Sequence, residues 1–140
     1  MKDKLKTNYQ TFQLLGLWVP VLIQMGLIFY FSAQPAGSPT LESFPLPAGI
    51  GHLGGYGLLG LLLYRAFNRG LIGWNLISAR NTFLVGFLYA ISDELHQMYV
   101  PGRTPAVSDV VIDAVGIILA LLFIGLIINP LYNRLKSKTG

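Results

Sequence analysis

The chain has 140 residues, 53% of them hydrophobic and only 11% charged, with a mean hydropathy of +0.56 and a net charge of +4. Soluble domains carry about 25% charged residues, so this composition excludes an ordinary soluble protein and points to a single membrane domain over 1–140. The absence of cysteine excludes disulfides and thiolate chemistry, and basic residues split among loops and tails make no nucleic-acid surface.

A membrane span needs about 20 apolar residues, because the hydrocarbon core is about 30 Å thick and a helix rises about 1.5 Å per residue. Residues 14–33 (LLGLWVPVLIQMGLIFYFSA) meet this, and a packed membrane helix tolerates the interruptions at Pro20 and Gln24. Lys2, Lys4 and Lys6 precede the segment and FSA resembles a cleavage site. Its apolar run exceeds the about 7–15 residues of a signal-peptide core, so a span is expected. The stretch QPAGSPTLESFPLPAG reads as a loop. A second span is expected over 50–67, opening at His52, where Gly51, Gly54, Gly55 and Gly57 permit close packing. NRGLIGWNLISAR is expected to lie along the membrane surface, anchored by Trp74. The third span covers 81–100, PGRTPAVS is a short turn, and the fourth span covers 109–128, with Ser108 or Asp109 as its cap. The fold class is therefore all-α: a polytopic bundle of four membrane helices.

Four spans place Lys2, Lys4, Lys6, Arg65, Arg69, Arg80, Arg134, Lys136 and Lys138 on one side and Arg103 alone on the other. The positive-inside rule then predicts a cell-membrane protein with both termini cytoplasmic. The acids sort oppositely: only Asp3 is cytoplasmic, while Glu42, Asp93, Glu94, Asp109 and Asp113 approach the outer face. His52, His96, Ser32 and Gln34 arrive there too.

Intramembrane acids cost about 3 kcal/mol on insertion scales, so Asp93 is expected to face the bundle interior or a wet cavity. With a helix over 81–100 it lies about 10 Å short of the outer end. Asp93 and Gln97 share a face bordered by His96, whereas Glu94 is rotated about 100° away. Asp113 lies one turn inside Asp109, and Gly116 and Ala120 continue that face. Such a cluster can supply a general base, a general acid and an anion clamp at Arg103. It can equally be structural: Arg103 paired with Asp109 or Glu94, His52 bonded to Asp113, Asp109 only a helix cap. Tyr30, Tyr56, Tyr89 and Tyr99 read as packing or interfacial aromatics. The spacing D-E-x-H is no zinc signature, HExxH, GxSxG and P-loop patterns are absent, and no metal or cofactor is assigned.

YFSAQP at the end of the first span, the early histidine of the second, and SDELHQMYVPGRTPAVSDVVIDAVG resemble the VanZ-like family over about residues 15–125. The family often carries a basic residue shortly before the second-span histidine; here LPAGIGH has none. The resemblance implies a bacterial envelope protein, since the founding member is associated with low-level resistance to the glycopeptide teicoplanin. It brings no settled mechanism. The matching positions are Ser32, Gln34, His52, Asp93, Glu94, His96, Gln97, Arg103, Asp109 and Asp113. Together they form a candidate outward-facing pocket in contact with the lipid bilayer. Its ligand is expected to be an envelope lipid or a lipid-linked headgroup, either bound or, alternatively, chemically modified. An oligomer is compatible with the sequence, which gives no direct sign of one.

Overall fold

The computed structural model describes residues 2–43 and 47–139, leaving the middle of the expected 34–49 loop outside the described residues. All regular structure among them is helical: α1 (Lys2–Ser32), α2 (Pro39–Glu42), α3 (Ala48–Asn68), α4 (Leu76–Gln97), α5 (Val107–Phe123), a π-turn over Ile124–Ile128, and α6 (Asn129–Thr139). The short α2 lies inside the segment expected to be loop, and α6 extends the last span into the expected C-terminal tail.

Two helical stretches, Gln10–Ser32 and Val107–Lys138, are long and apolar enough to cross a bilayer. The glycines, His52 and Arg65 dilute α3, and Asp93 and Glu94 dilute α4. Both nonetheless present large apolar side chains outward, among them Ile50 and Leu58 on α3 and Leu84, Leu88 and Leu95 on α4.

The proline interruptions are compensated locally. Pro20 has no N–H to offer the carbonyl of Gly16 four residues back, and Arg65 of α3 donates to that carbonyl at 3.1 Å instead. Before Pro130 the helix widens into the π-turn, and Asn129 Nδ2 donates to Ile124 O at 2.8 Å. Asn129 Oδ1 accepts from the backbone N–H of Gly73, which ties this turn to the α3–α4 connection.

Asn75 caps α4 by accepting from the N–H of Ser78 at 3.0 Å, so residues 76–80 of the expected surface segment form the first turn of α4. Trp74 packs against protein as well, its ring stacked on Tyr64 at 5.7 Å between centroids. Arg69 ends α3 in the left-handed conformation, and the carbonyls of Gly70, Ile72 and Gly73 are gathered by Asn68 Nδ2.

The core lies between α3, α4, α5 and the inner face of α1, with Val21, Tyr56, Leu59, Leu63, Ala90 and Ile117 fully buried. The α3–α5 contact is the most extensive in the molecule. A Cβ at Gly116 would stand 2.5 Å from Leu53 O, so the two backbones touch there, as the small-residue face predicts. Gly57 and Gly60 join that contact. A methyl group added at Gly51 or Gly54 would find nothing within 4 Å, so these two are not packing glycines.

Candidate functional site

The ends of α1 and α4, the start of α3 and the start of α5 meet at one level. His52, in the first turns of α3, brings Nδ1 to 3.0 Å from Asp113 Oδ1 on α5. Asp113 is wholly buried, and its Oδ2 closes no hydrogen bond. This is the inter-helix tie expected between the two residues.

Glu94 performs a task not read from the sequence. Its Oε2 accepts the N–H of Ala106 at 2.9 Å, and Ala106 is the N-cap residue of α5. Neither Ser108 nor Asp109 caps that helix; both sit in its first turn, where Ser108 Oγ reaches Asp109 Oδ1 at 3.4 Å. Glu94 Oε1 accepts from Gln97 Nε2 at 3.0 Å. The donor atoms of His52, Glu94 and Asp109 lie within 4.8 Å of one another, a set whose chemistry suits a divalent ion. Both Glu94 oxygens are already engaged, so the group first fastens the start of α5 to α4.

Arg103 does not pair with Asp109 or Glu94. Its Nε donates to Gln34 O at 3.1 Å and its Nη2 to Phe31 O at 3.2 Å, so the guanidinium caps the C-terminus of α1. A cation there complements the negative end of the helix dipole. Gln34 contributes that carbonyl, while its side chain bonds back to Tyr30 O. His96 does not join the His52 group: its ring lies against Phe29 at 4.4 Å, and its Nε2 is buried without a partner.

Asp93 faces away from this fastening group, toward α1. Because α4 ends at Gln97, it lies about 6 Å from the helix end instead of about 10 Å. It lines a cavity of about 410 Å³ together with Ser32, His52, Tyr56, Gln97 and Arg103. Apolar side chains of α1, including Leu27, Ile28 and Phe31, form the opposite wall. The volume falls within the about 300–1,000 Å³ typical of small-ligand pockets. Tyr56, expected only to pack, also lines the cavity, which sequence reasoning missed. It is 1% exposed, and its hydroxyl, Ser32 Oγ and Asp93 Oδ1 all lack a hydrogen-bond partner. Only its four-residue spacing from His52 marked it in the sequence.

The molecule is thus an all-helical, membrane-compatible bundle with a polar-floored, apolar-walled pocket at the level where its helices exchange direction. Residues 17–128 match the VanZ/LLP1 family, and the chain belongs to that family. No curated protein and no solved structure matches the chain.

Proposed function

We propose that this VanZ-family protein is a multi-pass cell-membrane protein of four spans with cytoplasmic termini. Its pocket faces the outer leaflet and binds an envelope lipid or lipid-linked headgroup. Occupancy of that pocket alters susceptibility to a glycopeptide such as teicoplanin. Outward apolar side chains on α1, α3, α4 and α5 support a lipid surround for all four helices. The concentration of Lys and Arg at the opposite ends supports the orientation.

The observation that carries the reading is the cavity itself. Buried polar atoms without partners are costly, and three of them belong to residues that line one apolar-walled space, which suits a ligand site. Binding is favoured over catalysis because His96, a candidate base, packs on Phe29 outside the cavity lining, and Arg103 commits Nε and Nη2 to α1, leaving Nη1 for a ligand contact.

Gly51 lines the cavity and has open space at its Cβ position, so Gly51→Leu fills the pocket from a site free of backbone clash. Native mass spectrometry of the purified protein should show about tenfold weaker retention of envelope lipids in this variant, equivalent to about 1.4 kcal/mol. Cells carrying it should lose any teicoplanin phenotype that the wild-type protein confers. Unchanged lipid retention would sink the pocket reading.

A further inference from the structure

The charge of the pocket points to the kind of headgroup it takes. Asp93 is the carboxylate that lines it, together with His52 and Arg103. Of the two basic residues, Arg103 has Nε and Nη2 committed to the carbonyls of α1, and His52 has Nδ1 committed to Asp113. An anion seated beside Asp93 would meet like charge.

Three buried oxygens without hydrogen-bond partners belong to residues of the cavity lining. Asp93 Oδ1 comes from α4, Ser32 Oγ from α1 and Tyr56 OH from α3; the three residues are 4%, 6% and 1% exposed. An ionised carboxylate only accepts hydrogen bonds, and hydroxyl oxygens also accept. A phosphate or carboxylate would place like charge beside Asp93, although the Ser32 and Tyr56 hydroxyls can also donate. An ammonium group carries three N–H donors and a compact positive charge. It would satisfy the three oxygens and neutralise a carboxylate that is otherwise expensive to bury.

Resting on the lipid-binding reading, we infer that the cavity recognises the primary ammonium of a zwitterionic envelope lipid. The nitrogen sits on Asp93, Ser32 and Tyr56. The lipid phosphate lies toward Arg103, whose Nη1 makes no hydrogen bond among the described residues. Leu27, Ile28 and Phe31 give the carbon chain its apolar wall.

The test titrates the purified full-length protein in detergent with three lipids of equal acyl chains: phosphatidylethanolamine, its N-acetyl derivative and phosphatidylglycerol. Bound lipid is read by native mass spectrometry, on wild-type protein and on Asp93→Asn. Phosphatidylethanolamine should bind the wild type at least about tenfold tighter than either other lipid, and Asp93→Asn should erase that preference. Equal binding of all three would overturn the ammonium assignment and leave the lipid reading standing. Failure of all three would remove both. Free ethanolamine competing as strongly as the lipid would keep the ammonium site and remove the lipid. A preference that disappears in EDTA would give the carboxylates to a metal ion and overturn the inference. The headgroup comparison on wild-type protein decides the matter even if Asp93→Asn fails to fold.

Discussion

At the scale of residues, the same polar types do two different jobs within one turn of helix. Asp93 and Glu94 are adjacent, yet Asp93 floors the cavity and Glu94 holds the start of α5. The rotation of about 100° between neighbours is enough to send them to different helices. Behind them, Asp113 orients His52 through a contact with no exposure on the acid side. Asp113→Ala removes the acceptor and strands Nδ1–H, which should cost about 1–3 kcal/mol. Asp113→Asn keeps an oxygen for that bond and should cost less than half as much. Unfolding of the purified variants in mixed detergent measures both, and equal losses would show that the hydrogen bond is not what holds the pair. The tie was legible because the two residues open neighbouring helices at one membrane level. The roles of Arg103 and His96 were not legible. Arg103 bonds backbone carbonyls some 70 positions away in the chain, and main-chain acceptors leave no mark in a side-chain pattern.

At the scale of elements, glycine distribution decides which helices touch. The pattern showed many glycines on α3 without showing which ones meet another backbone. Gly116 on α5 and Gly57 on α3 do, and Gly54 does not. Gly116→Ala would drive a methyl against Leu53 O and Gly57 N, forcing α3 and α5 apart at a cost of about 1–3 kcal/mol. Gly54→Ala meets open space and gains helix propensity, so it should be neutral or stabilising by up to about 1 kcal/mol. The same unfolding assay separates the two. Comparable destabilisation by both would show that the close α3–α5 approach is not the source of the effect. Helix ends were read less well than helix cores, for a physical reason. The apolar period stops where side chains become polar, whereas a helix stops where its end groups find other partners. Asn75 starts α4 ahead of the apolar run, and Glu94 supplies the start of α5 from another helix.

At the scale of the molecule, the pocket matters to the outer leaflet only if the bundle crosses the membrane four times. Two stretches meet the demands of a span by length and composition, and α3 and α4 are not among them. These are the helices that carry His52, Tyr56, Asp93 and Glu94, and polar side chains of this kind lower their hydropathy below that of the two apolar stretches. Burying such groups against one another would let helices of this kind sit in lipid, because a bilayer meets only the outward faces. The chain contains no cysteine, so single cysteines report topology without a cleared background. A membrane-impermeant maleimide should label Glu42→Cys in intact cells. Ile72→Cys and Lys138→Cys should react only after permeabilisation. Ile72 is half exposed in the α3–α4 connection, and Lys138 lies near the end of α6. Labelling of Ile72→Cys from outside, with Glu42→Cys protected, would invert the bundle. The pocket would then open to the cytoplasmic leaflet, and an outer-leaflet ligand would have no route to Asp93.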